Sequence, residues 1–247
     1  MQNVAPSGAL ARRSRRWLQL AFLTVTGGVF AAILGLMMFV IPFAVPENQI
    51  FGFYNFVRTI LLLGGSIAAL AGIGMAVRAY MTRIDNDVAM LTGAHLAKFL
   101  DQRFWFVRNI NKRGLGYIDA VLVGPPGALV FRATDATGTY ANEKGNWLVH
   151  NNKGEWLPAK FNPTAEDAVD IKAVREYLTQ HGLREIPVYG VVVFTHEPPL
   201  THVVAREPVV PVAHLSELMD AIQPNYLARD RIDQATVDRI VKLIYDK

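Results

Sequence analysis

The candidate catalytic residues of this chain lie in two apolar segments on either side of a Gly-Pro-Pro-Gly sequence. Asp119 lies in the first segment, and Arg132 and Thr134 lie in the second. Apolar runs that flank Gly and Pro predict a β-hairpin. If Pro125 and Pro126 are the centre of its turn, Asp119 faces Arg132 across the strands, with Thr134 on the same face. We expect an ion pair there, which contributes about 0.2–1 kcal/mol across a ladder; two unrelated solvated residues on an edge hairpin are the alternative.

This hairpin resembles the core of the nuclease-related domain (NERD) family, a branch of the PD-(D/E)XK nuclease superfamily. Members of that family read Glu-Ile-Asp, an apolar strand, a Gly/Pro turn, a second apolar strand and then Glu-x-Lys-x-x-x-Gly. Asp119 and Gly138 match that pattern, whereas Tyr117 and Arg132 stand at its two Glu positions and Thr134 stands at its Lys position. The resemblance implies a nuclease scaffold in which most of the catalytic side chains are replaced.

The resemblance extends over about residues 92–223. Its other parts are an opening helix, a strand containing Trp, a helix that starts Asn-Pro, a late apolar strand and a Val-Pro-Val segment, at residues 93–100, 146–148, 162–166, 187–195 and 210–212. Strands mixed with helices indicate an α/β (α+β) domain. The resemblance implies a restriction-endonuclease-like fold, with a central mixed sheet flanked by helices.

Cleavage of a phosphodiester by such a domain needs a metal ion that activates water, and Mg²⁺ takes oxygen ligands such as carboxylates. The guanidinium of Arg132 cannot coordinate a metal and repels it, and Thr134 lacks the charge of the family's Lys. We therefore expect no catalytic residue, metal or cofactor in the family's sense. The alternative is a Mg²⁺-dependent nuclease that uses Asp119 with a migrated carboxylate, Glu166 or Asp135. Glu166 is also compatible with an ordinary acid in the first turn of a helix.

Two long apolar segments precede this region and predict a transmembrane hairpin. Residues 18–45 and 59–77 carry no charged side chain, and about 20 apolar residues are enough to cross a bilayer. We place the spans at about 18–45 and 57–79. Small residues of the second span, including Gly65 and Gly72, favour close packing against the first. The expected organisation is a basic cytoplasmic tail (1–17), a transmembrane hairpin (18–80), a cytoplasmic NERD-like domain (81–224) and a C-terminal helix (225–247).

Arginines at the outer ends of both spans predict the orientation of the hairpin. Four arginines lie within residues 12–16, and Arg78 and Arg83 follow the second span. By the positive-inside rule, both termini are expected on the cytoplasmic side of a bacterial-type inner membrane, with the lipid bilayer as a partner. The segment 14–18 also looks like a twin-arginine export signal. The apolar region is longer than that of a signal peptide, however, and no clear cleavage site follows it.

The composition and motifs of the chain exclude several kinds of metal and catalytic site. The 247 residues carry a formal net charge of +4 and no Cys, which excludes disulfides and Cys metal sites. The six His have no metal-ligand spacing, and no phosphate-binding Gly loop or nucleophile elbow is present. Arg108, Lys112 and Arg113 are candidates for contact with nucleic-acid phosphates, but a solvated strand edge explains them equally well.

The favoured function is binding of nucleic acid or of a protein partner at the cytoplasmic membrane face, by a domain that has lost metal-dependent cleavage. The active nuclease is one alternative. A membrane assembly protein that contacts no nucleic acid is another. No feature of the chain predicts an oligomeric state.

Local patterns predict several element boundaries outside the hairpin. Apolar residues at helical spacing predict a helix over about 87–102, and a strand is expected over 104–110. A second hairpin is expected around residues 151–154. Asn162 is an expected N-cap, followed by a helix to about Gln180; the last helix is expected to start near Asp233.

Overall fold

The computed structural model describes residues 1–5, 8–41 and 43–245, apart from the side chains of residues 8–15 and 81–86. These residues form two compact units, Ala9–Ile84 and Met1–Gly8 with Asp85–Lys247. The helices are α1 (Gly8–Val40), α2 (Phe51–Leu96), α3 (Pro163–Gln180), α4 (Leu218–Ile222) and α5 (Gln234–Tyr245). The strands are β1 (Gln2–Val4), β2 (Trp105–Lys112), β3 (Gly116–Gly124), β4 (Gly127–Thr134), β5 (Gly138–Glu143), β6 (Asn146–His150), β7 (Trp156–Pro158), β8 (Val188–Phe194), β9 (Thr201–Arg206) and β10 (Val212–His214).

A mixed sheet of order β1-β2-β3-β4-β8-β10 forms the centre of the larger unit. Strands β2, β3 and β4 pair antiparallel as two successive hairpins. Strand β8 pairs parallel with β4, and β10 pairs parallel with β8. The carboxyl ends of β4 and β8 therefore lie at the same edge of the sheet, where the candidate site is found.

Helices cover both faces of this sheet. Successive side chains of its central strands point to opposite faces, and those on both faces are apolar. On one face, Val174 of α3 and Val237 and Ile240 of α5 pack against Val121 and Val130. On the other face, the last turn of α2, α4 and Tyr226 pack against the sheet. A second sheet, of order β7-β6-β5-β9, closes the carboxyl edge through a cluster of Tyr140, Trp147 and Phe194.

The smaller unit is a hairpin of two long helices that meet through small residues. The buried positions repeat every seven residues, at Ala21, Gly28 and Gly35 in α1 and at Gly65, Gly72 and Ala79 in α2. A Cβ atom added to Gly28 would lie 2.5 Å from the backbone N of Ala69. The expected packing of Gly65 and Gly72 against the first helix is therefore confirmed, since backbones this close leave no room for a side chain.

Tyr54, which is buried, stabilises the connection between these helices. Its hydroxyl donates to the carbonyl of Met38 near the end of α1. The guanidinium of Arg58 lies 4.0 Å from the centre of the Phe39 ring, and its Nε donates to Asn55 Oδ1 at 2.9 Å. The one basic residue at this end of the hairpin thus packs on an aromatic ring.

The expected fold class is confirmed: two long helices are followed by a mixed sheet flanked by helices. The hairpin around residues 151–154, the N-cap at Asn162 and the end of α3 at Gln180 are also confirmed. The helix expected over 87–102 is wrong as a separate element, because α2 runs unbroken from Phe51 to Leu96.

Two segments far apart in the sequence belong to the larger unit, and the expected division of the chain stays a prediction. The first residues of the expected tail (1–17) form β1, which pairs parallel with β2. The Met1 amine donates to the carbonyl of Leu100 at 3.0 Å. At the other end, α5 is not an appendage, because its apolar face packs into the core of the sheet. Strand β1 and helix α5 therefore belong to one compact unit.

Candidate functional site: a guanidinium among carboxylates

The hairpin of β3 and β4 has a two-residue turn at Pro125 and Pro126, with Gly124 paired to Gly127. Gly127 has a φ of +125°, which favours glycine. A side chain there would also collide with the carbonyl of Pro187, 2.5 Å away. This turn fixes the register of every pair further along the hairpin.

That register brings Asp119 and Arg132 together. Asp119 Oδ1 lies 3.6 Å from Arg132 Nη1, so the expected ion pair is confirmed. Asp119 Oδ2 accepts a hydrogen bond of 3.1 Å from the backbone N–H of Ala133. The Asp119 side chain is only 8% exposed, whereas that of Arg132 is 29% exposed. The carboxylate is therefore fixed from two sides, and the guanidinium is its counter-ion.

A second carboxylate reaches the same guanidinium from α3. Asn162 caps this helix by accepting a hydrogen bond of 2.9 Å from the N–H of Ala165, and Pro163 occupies its first position. This arrangement aims Glu166 at β4, where Glu166 Oε2 forms an ion pair with Arg132 Nη2. Arg132 therefore bridges Asp119 and Glu166, the two carboxylates that the enzyme alternative assigns to a metal.

Two further acids lie close to this bridge. Burial, together with nearby Asp170, raises the pKa of Asp167 to about 8, although Arg132 opposes the shift. Burial also raises the pKa of Asp170 to about 6, again against the effect of Arg132. Neither oxygen of Asp167 has a hydrogen-bond partner among the described residues. Asp167 is therefore expected to hold a proton at neutral pH.

The sequence pattern predicts a role for Glu166 on this helix but not for its acidic neighbours. The missed signal is helical: Asp167 lies seven residues before buried Val174 and thus on the same apolar face of α3. Gly190 of β8 makes room for it, since a Cβ there would collide with the Asp167 carboxyl group. An acid on the buried face of a helix, opposite a strand glycine, is the pattern that would have identified it.

A cleft of about 250 Å³ opens beside the bridge and is lined by Arg132, Thr134, Asp135, Phe161 and Glu166. Arg132 and Thr134 stand at changed positions of the family motif, and Asp135 is an alternative carboxylate of the nuclease hypothesis. Thr134 Oγ1 accepts a hydrogen bond of 3.1 Å from the N–H of Ala136, so its hydroxyl serves the turn after β4.

The acids do not form a metal cage as they are arranged here. Among the described residues, no group of three or more His, Cys, Asp or Glu side chains could hold a metal ion. The guanidinium of Arg132 lies between the two carboxylates that would have to converge, and a cation cannot ligate a cation. The residues present do not fit the Mg²⁺ site that the nuclease superfamily implies.

The candidate phosphate-binding residues lie on β2 and the turn after it. Arg108 Nε donates to Asn3 Oδ1 at 3.2 Å. Lys112 Nζ donates to the carbonyl of Leu243 at 2.6 Å, near the end of α5, and Arg113 is exposed. Two of the three therefore have partners within the fold, and a role in nucleic-acid binding stays a prediction.

Comparison with known proteins supports the interpretation of the hairpin. Residues 90–195 match the family model described as Nuclease-related domain (NERD). This match spans the last turns of α2 through β8, including Asp119, Arg132 and Glu166. No curated protein and no solved structure matches the chain significantly. The chain carries a nuclease-related domain, which is preceded by two long apolar helices.

Proposed function

We propose that this chain is a membrane-anchored nuclease-related domain that has exchanged metal-dependent cleavage for binding. The observation that carries the proposal is the bridge of Arg132 between Asp119 and Glu166. A fixed positive charge stands where a divalent ion would need two carboxylates. Removal of one electrostatic stabiliser costs about 10²–10³ in rate in a well-studied enzyme, and here the family's Glu and Lys positions are both changed.

The apolar helices support the membrane anchor. Arg16–Val40 and Phe51–Tyr80 are long and apolar enough to cross a bilayer, and only 11% of an apolar 18-residue window in each is buried. Large apolar side chains such as Phe22, Phe30 and Leu70 are more than 60% exposed, which is costly in water. Hydroxyls such as that of Ser66 donate to a carbonyl four residues earlier. Hydroxyls that form their hydrogen bonds within their own helix suit a segment surrounded by lipid.

The pairing of β1 with β2 supports a location of the N-terminus and the domain on one side of the membrane. Both ends of the helical hairpin lead into the same compact unit, which supports two crossings rather than one. The positive-inside rule makes that side cytoplasmic. The test is accessibility of a single introduced cysteine at Asn48 or at Asn152 in a chain without native Cys. We expect labelling from outside at Asn48 only, and selective outside labelling at Asn152 would overturn the topology.

The bound partner is nucleic acid or a protein. A titration of the full chain in nanodiscs with single- and double-stranded DNA and RNA, repeated across salt concentrations, separates these classes. Binding that weakens steeply with salt and is reduced in an Arg108, Lys112 and Arg113 triple variant supports nucleic acid. An absence of binding at low salt would favour a protein partner or a membrane assembly role.

The active nuclease is kept as the second candidate because Glu166 and Asp119 approach the same group. The experiment that separates the two is a cleavage assay on the full chain with Mg²⁺ or Mn²⁺. We expect no cleavage of DNA or RNA. Metal-dependent cleavage that disappears in Asp119→Ala would overturn the proposal. The full chain is required because a truncation at residue 83 removes β1 from the sheet.

A further inference from the structure

A second cavity, of about 480 Å³, lies at the amino ends of β4 and β8, away from the Arg132 cleft. It exists because β10 pairs only with Val192–Phe194, so the first half of β8 has no strand neighbour on that side. Its walls come from α3, α4, the residues before β10 and the chain after α4. The volume is within the range of small-molecule sites.

Two arginines and no acidic residue line this cavity among the described residues. Arg175 projects from α3, and Arg231 follows α4. Neither forms an ion pair within the described part of the chain. The Arg132 cleft is the opposite case, because Asp119 and Glu166 neutralise its single arginine. The cavity is thus positively charged and suited to an anion.

Both guanidiniums keep unused hydrogen-bond donors. Arg231 is positioned by its backbone N–H, which donates to the carbonyl of Pro125 at 2.8 Å, and its guanidinium carbon lies 5.3 Å from the centre of the Tyr189 ring. Its Nη1 is buried without a hydrogen-bond partner. Arg175 makes a long bond of 3.4 Å to the carbonyl of Val188. A guanidinium has five N–H donors, so most of this capacity is free for a ligand.

The remaining walls can hold an organic group beside the anion. Ile171 and Ile222 provide apolar surface, Tyr189 an aromatic ring, and Asn225 an amide that can donate and accept. Val192 donates its N–H to Pro211 on the β10 side of β8. Backbone N–H groups along a strand alternate in direction, so the N–H of Gly190 points to the same side as that of Val192, which is the side of the cavity.

We propose that this cavity binds a small organic phosphate of nucleotide size, with its phosphate at Arg175 and Arg231 and its planar or apolar body against Tyr189 and the apolar walls. Arginine suits a phosphate because its planar fork matches two phosphate oxygens. The site is distinct from the nuclease-like cleft and does not depend on the proposed loss of cleavage.

The test is isothermal titration calorimetry of the purified full chain in detergent with three probes: adenosine monophosphate, inorganic phosphate and adenosine. We expect the monophosphate to bind more tightly than inorganic phosphate, and adenosine not to bind. Arg175→Gln should weaken monophosphate binding about ten-fold or more, because it removes a charge-assisted contact. Arg184→Gln, which removes an exposed arginine outside the cavity, is the matched control and should leave the affinity unchanged.

Arg231→Gln should have an effect like that of Arg175→Gln, but Arg231 also packs on Tyr189, so its variant is first checked for an unchanged thermal melt. Arg175 is exposed, so its variant tests the proposal even if the Arg231 variant unfolds. No heat from the monophosphate, equal affinity for adenosine, or no gain over inorganic phosphate would each overturn the proposal. So would binding that Arg175→Gln and Arg184→Gln reduce equally.

Discussion

Replacement of Arg132 by Gln should destabilise the larger unit because it strips two carboxylates of their shared counter-ion. Glu166 is 45% exposed and can turn to water, so most of the cost falls on Asp119, which is 8% exposed. Breaking a buried ion pair by removing one partner costs about 3–5 kcal/mol. Arg132 is itself partly exposed, and Asp119 keeps its bond to Ala133 N. We therefore expect a loss of about 2–3 kcal/mol.

The measurement is thermal unfolding of the full chain in detergent, followed by Trp fluorescence. Three of the four Trp, at 105, 147 and 156, lie in the larger unit. For a unit of this size, 1 kcal/mol lowers Tm by about 2–4 °C, so Arg132→Gln should lower it by about 5–10 °C. Arg103→Gln is the matched control. It also loses a bridge between two carboxylates, but at an exposed site where such pairs contribute little.

A double-mutant cycle with Asp119→Asn isolates the pair itself. In the Asp119→Asn background, Arg132 still faces Glu166 and Asp170 but no longer Asp119, so Arg132→Gln should cost less than in the native chain. The coupling free energy should be about 1–3 kcal/mol. An unchanged Tm in Arg132→Gln, or a coupling free energy near zero, would show that the guanidinium does not stabilise this carboxylate.

Three further predictions concern other parts of the molecule. The pKa of Asp167 is raised to about 8 from about 3.9 in an unfolded chain, so its contribution to stability is complete below about pH 4 and is lost as pH rises through about 8. Because Asp167→Asn cannot ionise, its Tm relative to that of the native chain should be higher at pH 8 than at pH 5. The same Tm difference at pH 5 and at pH 8 would contradict the raised pKa. Gly65→Leu should destabilise the helical hairpin by about 3 kcal/mol in equilibrium unfolding with SDS, whereas Gly64→Leu, whose Cβ meets nothing within 4 Å, should not. Deletion of residues 1–4 should cost the larger unit about 1–3 kcal/mol and speed amide exchange in β2, as measured by mass spectrometry; unchanged exchange there would show that β1 contributes nothing.

The hairpin site could be predicted from the sequence because its geometry is local. Once Pro125 and Pro126 form a two-residue turn, the pairing of Asp119 with Arg132 follows from strand alternation alone. The contact of Glu166 with Arg132 could not be predicted from a local pattern, because it depends on where α3 crosses the sheet. The spacing of Asn162 and Pro163 fixes where that helix begins, but not which strand its first turn meets.

The parts that were missed depend on tertiary contacts without a local pattern. Strand β1 is only three residues long and is a strand because β2 offers it an open edge. The acids Asp167 and Asp170 resemble ordinary helix-surface residues until the sheet buries them. Helix α2 runs through the expected boundary near residue 81 because no Pro or Gly interrupts that stretch.

Loss of the metal site is tested by a calorimetric titration of the full chain with Mn²⁺. Arg132→Glu with Thr134→Lys, which restores the family's residues at both positions, is run beside it to ask whether the scaffold can still hold a metal. We expect no saturable Mn²⁺ binding by the native chain that depends on Asp119, because the guanidinium of Arg132 lies between the two carboxylates that would ligate the ion. Stoichiometric Mn²⁺ binding by the native chain that is abolished in Asp119→Ala would contradict it.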